Sequence, residues 1–265
     1  MNKQELTIAV IMLHGGCNMK CGFCITDDRL ECMTAAEYGK TLTRVKEQGF
    51  QNVVLGGGEP FLWPSGVDYA TRKARDMGFL VQVGTNGVNM PDRDIYRDSV
   101  DRYVLPLDAH NAEGHNTIRR FVDRGKSDHY AIIGARLQQC REWGRPVTVS
   151  TVVSGQNHAA INGIGDFLAD YVAQGGRLHA WHLYRFIPRG RGGARAGEVL
   201  NISRTEFDTA VYKSRQQNYP FTIFKRPDMR HSSSVDFFWH QEGHLCVGSE
   251  VWDINRSKDL VGTPE

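Results

Sequence analysis

The chain has 265 residues, with 32 Lys and Arg against 30 Asp and Glu, 28 Gly and six Cys. Apolar residues at 40% and charged residues at 23% are ordinary globular usage, which excludes a disordered or fibrous chain and predicts a real core. A formal charge of +2 gives no field that would hold a nucleic-acid polymer or a membrane surface, so any basic site must be local.

The first apolar run, residues 8–13, is too short for a signal h-region or a membrane span, and a cytoplasmic protein is expected. Thiols stay reduced there, so closely spaced cysteines read as metal ligands or catalysts rather than as disulfide partners.

In chain order, β-branched runs, Gly-rich or polar turns and amphipathic stretches alternate, the pattern of βαβ units on a parallel sheet. Strands are expected over residues 7–14, 52–55, 80–84, 103–107, 146–153 and 178–186, with helices over 35–48, 67–77, 92–98, 130–143 and 159–173. Thr34 followed by Glu37 is a capping-box start for the first helix. Gly49, Gly78, Gly144 and Gly175 fit left-handed caps at helix ends.

Six such units predict an α/β fold, a partial (β/α)6 TIM-like barrel rather than a closed eight-unit one. Beyond residue 188 the rhythm changes. A basic, Gly-rich run, RGRGGARAG over 189–197, precedes a helix near 205–217 and strands at 221–224, 235–239 and 244–247. Gln241-Glu242-Gly243 would turn the last two strands into a hairpin. The expected organisation is a core over 1–188 and a short α+β extension, or lid, over 189–265 that contributes to the substrate site.

Cys17, Cys21 and Cys24 stand as C-N-M-K-C-G-F-C directly after the first strand. Three thiolates on one loop can converge on one metal centre and leave it a ligand short of the usual four. A structural zinc site would need Cys32 or His14 as the fourth ligand, and no second C-x2-C pair is present. Inert buried thiols are the third possibility. An iron-sulfur electron carrier, finally, would ordinarily fill all four ligand positions.

C-x3-C-x2-C with Phe23 before the last Cys resembles the signature of the radical S-adenosylmethionine (SAM) superfamily. The resemblance implies that Cys17, Cys21 and Cys24 hold a [4Fe-4S] cluster whose open iron is chelated by SAM. Further motifs follow in the family's order. Gly56-Gly57-Gly58-Glu59-Pro60 resembles the GGEP turn, and Gly84-Thr85-Asn86-Gly87 the S/T-N-G turn. Pro106-Leu107-Asp108 stands where related enzymes read Ser-Leu-Asp, and a helix of the form N-A-E-x-H-x-x-x-R leads to Arg119. The resemblance implies that this guanidinium pairs with the SAM carboxylate, the alternative being a solvated cluster with Arg120 and Arg124 close by. Ser150-Thr151 and the following Asn157 resemble the ribose-contacting strand. The implied SAM contacts are thus Phe23, Gly57, Gly58, Glu59, Thr85, Asn86, Asp108, Arg119, Ser150, Thr151 and Phe186.

The implied activity is reductive cleavage of SAM to a 5′-deoxyadenosyl radical, fed by an external one-electron reductant of the flavodoxin or ferredoxin type. The radical would take a hydrogen atom from a small polar substrate. Arg185, Arg189, Arg191 and Arg195, with Lys225, Arg226, Arg230 and His231, concentrate positive charge and point to an anionic substrate such as a sugar, a nucleotide or a related metabolite. On the sixth strand, alternation sends His182, Tyr184 and Phe186 to one face and Trp181, Leu183 and Arg185 to the other, and one face must line the barrel mouth.

His182 and Tyr184 are candidates for substrate and catalytic contact, and Cys246 is a candidate hydrogen-atom donor of the kind a radical epimerase uses. The C-terminal half has a likeness to the viperin family of nucleotide dehydratases, although Ile25-Thr26-Asp27 after the third Cys departs from it, as does His182. A single Cys beyond residue 140 argues against families with auxiliary clusters, including molybdenum-cofactor enzymes and most peptide maturases.

Overall fold

The computed structural model describes residues 8–123, 125, 128–229, 232 and 234–248. Residue 7 of the first expected strand, Arg124 beside Arg119, and Arg230 and His231 of the basic set lie outside the described residues.

The elements run β1 (Ile8–Met12), α1 (Ala35–Glu47), β2 (Asn52–Gly56), α2 (Val67–Asp76), β3 (Leu80–Gly84), β4 (Arg102–Pro106), α3 (Ala112–Ile118), α4 (His129–Glu142), β5 (Val147–Val153), α5 (Ile161–Ala173) and β6 (Leu178–Arg185). Two short helices, α6 (Gly190–Gly193) and α7 (Gly197–Leu200), lead into α8 (Arg204–Arg215), β7 (Ile223–Arg226), β8 (Val235–Gln241) and β9 (His244–Gly248).

Ala9, Ile11, Val53, Leu55, Val81, Val83, Leu105, Val149 and Leu183 are fully buried, alternating along the strands with residues that face inward. Each buried aliphatic or aromatic side chain contributes roughly 1.5–3 kcal/mol, so the outer face of the sheet with its helices carries most of the stability. The capping box at Thr34 and Glu37 forms, and Gly49, Gly78, Gly144 and Gly175 all have positive φ after their helices.

The strand order is β7-β6-β5-β4-β3-β2-β1-β8-β9, with every pair parallel except β8 and β9. The sheet is α/β, curved and not closed, as expected for a partial barrel. Strands from the last quarter of the chain extend both edges: β7 pairs with β6, and β8 pairs with β1. Glu242 (φ 53°) and Gly243 (φ 75°) form the two-residue hairpin turn between β8 and β9, both left-handed as that turn requires.

Two expectations need correction. Residues 92–98 form turns, not a helix. The Asp92 carboxylate is held by Arg136 of α4, and that of Asp94 by Arg145, so tertiary ion pairs prevail over the weak helix propensity of an Asp-rich stretch. The strand expected at 221–224 begins two residues later, where Ile223 pairs with Trp181. Phe221 instead stacks on Tyr219, with centroids 5.3 Å apart, beside the Trp181 ring.

The inner face of the sheet is sparsely filled at its C-terminal end. Gly56 of β2 and Gly84 of β3 carry no side chain there, with Met12 beside the first and Val104 beside the second. Missing side chains on adjacent strands leave room for a ligand instead of a closed core.

Candidate functional site at the open end of the barrel

The cysteine loop leaves β1 and is pressed against the β2 turn. Gly58 N donates to His14 O (2.6 Å), Glu59 N to Gly16 O (2.8 Å), and Thr26 Oγ1 to Gly57 O (3.1 Å). A Cβ on Gly58 would lie 1.8 Å from Gly16 O, and one on Gly57, where φ is +119°, 2.5 Å from His14 O. The double glycine is therefore demanded by the backbone of the cysteine loop itself.

Cys17, Cys21 and Cys24 line one cavity of about 210 Å³ together with Phe23, Thr85, Asn86, Arg119, Ser150 and Arg191. Burial raises the Cys17 thiol, and raises that of Cys21 to about 11 against the opposing pull of Arg119. Metal binding must displace these protons.

Among the described residues no three His, Cys, Asp or Glu are grouped as ligands of a single ion. Cys17, Cys21 and Cys24 nevertheless share one cavity. The donor set, all sulfur and one ligand short, therefore fits an iron-sulfur cluster with an open position.

The turn after β3 closes one side. The buried Glu59 carboxylate accepts from Thr85 Oγ1 (2.6 Å), Asn86 N (2.7 Å) and Phe61 N (3.3 Å). Burial raises its pKa, and these donors pull it back down. Asn86 in turn donates through Nδ2 to Asn18 Oδ1 (2.7 Å) and lies 3.7 Å from Cys17 Sγ. Glu59 thus ties two ligand loops together, and its carboxylate does not line the cavity.

Asp108, also fully buried, plays a similar part on the opposite side. It accepts from Val152 N (2.8 Å) and pairs with Arg119 Nε (2.5 Å), whose guanidinium lies 4.8 Å from the Phe23 ring centroid. Asp108 N donates to Nδ1 of His115, which leaves the proton on Nε2 to donate to His129 Nδ1 (2.8 Å). His129 Nε2 then donates to Asn86 O (2.8 Å). Burial, reinforced by Arg119, lowers both imidazoles to about 3, so they are neutral. The sequence places His115 one helical turn before Arg119, the signal that could have singled it out.

A second lobe of about 420 Å³ continues down the inner face of the sheet. Phe23, Cys24, Thr26, Gly57 and Gly58 line both lobes, so the two adjoin. Its lining is largely apolar, with Val10, Met12, Val54, Val152 and Phe237, and one side is polar, with His182, Tyr184, Arg185 and Arg226. His182 Nδ1 is 3.1 Å from the Tyr184 hydroxyl, and burial with Arg226 nearby lowers the ring to about 3.

Among the expected site residues, Phe23, Gly57, Gly58, Thr85, Asn86, Arg119, Ser150 and Arg191 gather around the cysteines. His182, Tyr184, Arg185 and Phe186 line the second lobe. Glu59, Asp108 and Thr151 are buried behind the lining; the Thr151 hydroxyl accepts from Trp181 Nε1 and donates to Leu107 O. Asn157 Nδ2 is occupied by the carbonyls of Asp108 and Val152. Arg189 is exposed and lines neither lobe. Cys246 packs beyond β8 with Met12, Leu30, Phe237 and Trp239, and it too lines neither lobe. The Arg226 contribution was visible in the sequence only as one member of a basic group.

Known proteins resemble this chain in sequence and in fold. The S-adenosylmethionine-dependent nucleotide dehydratase of Flammeovirga pacifica is 24% identical over 257 residues, covering 91% of this chain and 85% of that protein. The 7-carboxy-7-deazaguanine synthase of Clostridium acetobutylicum is 34% identical over 86 residues, 30% of this chain and 38% of that one. Among solved structures, Streptococcus suis SuiB bound to S-adenosylmethionine superposes with a TM-score of 0.62 at 14% identity. That likeness of fold covers 88% of this chain and 58% of SuiB, so the chain spans less than two thirds of that neighbour. The model of the radical SAM superfamily matches residues 11–168, more than half of the chain and the stretch that carries the cysteine loop and both ligand turns, and the chain belongs to that superfamily.

Proposed function

We propose that this radical SAM enzyme acts on a nucleotide, removing a hydrogen atom from it on the way to loss of water. The adjacency of the two lobes carries the reading: they share lining residues, so a substrate in the apolar lobe would sit next to the cysteine lobe. Co-linearity with a nucleotide dehydratase over 91% of the chain supports the substrate class. When bound, a [4Fe-4S] cluster and SAM would supply a 5′-deoxyadenosyl radical, given one electron from an external reductant of the flavodoxin or ferredoxin type.

The protein's part is binding and exclusion. Cys17, Cys21 and Cys24 would hold the cluster. Thr85, Asn86, Ser150 and the Gly57-Gly58 backbone line the space beside it that SAM would fill. Arg119 is the cation for the SAM carboxylate, its aim set by Asp108 below and Phe23 alongside. The apolar wall formed by Val54, Val152 and Phe237 suits a base and ribose and keeps water from a reactive radical. Arg226 and Arg185, at the polar side, suit the phosphates, with Arg185 Nε fixed on Pro227 O (2.8 Å). In this reading the described residues of the C-terminal extension, up to 248, complete the site, Arg226 and Phe237 being supplied by β7 and β8; residues 249–265 of the expected lid lie outside the described residues.

Anaerobic reconstitution with iron and sulfide, followed by reduction with SAM and a panel of nucleoside triphosphates, tests the proposal. One nucleotide should accelerate 5′-deoxyadenosine formation and yield a product lighter by one water. Equal 5′-deoxyadenosine formation with and without every nucleotide would reject the substrate class.

A further inference from the structure

The basic, Gly-rich run after β6 is not an open loop. Its amides turn onto the cysteine loop: Arg191 N donates to Thr26 O (3.0 Å), Gly192 N to Cys24 O (3.0 Å) and Gly193 N to Cys24 O (3.3 Å). A Cβ on Gly192 would lie 2.4 Å from Cys21 O and 2.7 Å from Cys24 N; one on Gly190, where φ is +72°, would lie 2.2 Å from Ile25 O. Two stretches of backbone therefore meet with nothing between them, which only glycine permits. The run caps the loop that bears the thiols.

This contact sorts the arginines. Arg189 and Arg195 are exposed, whereas Arg191 is drawn inward to line the cysteine cavity. Its Nη1 donates to Gly15 O (2.6 Å), anchoring the guanidinium where the loop begins. It shares that cavity with Cys17 and Cys24, and its charge acts on both.

We propose that Arg191 is a positioning residue of the iron-sulfur site, a fixed cation that secures the cysteine loop and makes a cluster held there easier to reduce. The inference rests on the cluster assignment. Reduction adds one electron, from an external donor, to a centre already made negative by three thiolates. A guanidinium beside two of those sulfurs stabilises the added charge, and charge and hydrogen bonds at the sulfurs are the terms that set such potentials. No proton passes through Arg191, which stays charged throughout.

The test is a redox titration of the reconstituted protein with dithionite and mediators, followed by electron paramagnetic resonance. Arg191→Gln should lower the ratio of reduced to oxidised cluster at a fixed potential about tenfold, which is about 59 mV for a one-electron couple. Arg191→Lys should recover most of that shift, and Arg195→Gln should leave the potential unchanged. An Arg191→Gln protein with full iron content and an unaltered potential would overturn the inference.

If Arg191→Gln fails to retain iron, Arg191→Lys decides. Normal iron and a near-normal potential support the role of charge, and a loss equal to that of Arg191→Gln refutes it. Failure of the wild-type chain to take up any cluster would reject the cluster assignment itself, a separate result.

Discussion

The paired imidazoles of His115 and His129 make stability depend on pH with a definite sign. Both are held neutral by burial, near 3 in the folded chain against 6.5 for an ordinary histidine, and each spends both ring nitrogens on the line from Asp108 N to Asn86 O. The unfolded chain takes up protons as pH falls below about 6.5 while the folded chain does not, so stability is fully present above that pH and drains away on acidification. Between about pH 7 and pH 5.5 each histidine costs roughly 1 kcal/mol, and the pair about 2 kcal/mol.

Urea melts of the full chain, kept reduced and free of iron, measure this. The control is His115→Gln/His129→Gln, which is destabilised at neutral pH by roughly 1–3 kcal/mol for each hydrogen-bonding group left without a partner. The wild type should lose about 2 kcal/mol more than the double variant over the same pH interval. Equal losses would refute the argument, because the wild-type pair would then be titrating in the fold as it does in the unfolded chain. The line also joins the Asp108 and Asn86 turns, so the acid range should loosen the ligand loops before the outer helices, visible as faster hydrogen exchange near residues 86–90.

Two shorter predictions address the loop and the substrate wall. Gly58→Ala places a methyl 1.8 Å from Gly16 O and should displace the cysteine loop; iron content after reconstitution should fall severalfold while the far-ultraviolet circular dichroism of the barrel is kept. Arg226→Ala should weaken nucleotide binding roughly tenfold to a hundredfold, the value of about 1.5–3 kcal/mol from a charge-assisted hydrogen bond, with SAM binding unaltered by calorimetry.

Much of the barrel was legible because its causes are local. Alternation of buried and lining residues along β1 to β6, the Thr34-Glu37 capping box and the left-handed glycines at helix ends are properties of neighbouring residues. The assignment of β7 and β8 to opposite ends of the six-strand core was not legible, because periodicity says that a run is a strand and nothing about its partner. Ile223 could pair with Trp181 only once β6 was laid beside it. The turn region 92–98 failed for the same reason, since the arginines that capture Asp92 and Asp94 come from more than forty residues away.

The site divides along the same line. The cysteine spacing and the ligand turns announce themselves, but the task of each polar group within them depends on what faces it. Glu59 reads as a ligand contact beside two glycines, yet its carboxylate is engaged by Thr85, Asn86 and Phe61 and lines neither lobe. The RGRGG run is the sharpest case, because a flexible basic loop and a backbone clamp share one composition. What separates them is which glycines could carry a Cβ: Gly190 and Gly192 cannot, since Ile25, Cys21 and Cys24 already fill that space. An arginine between two such glycines has its backbone held from both sides, so its charge is delivered to a fixed place. Arg189 and Arg195, each outside that pair, remain in solvent. Position relative to the clamp, rather than charge density along the run, therefore selects Arg191 as the cation that meets the cysteine loop.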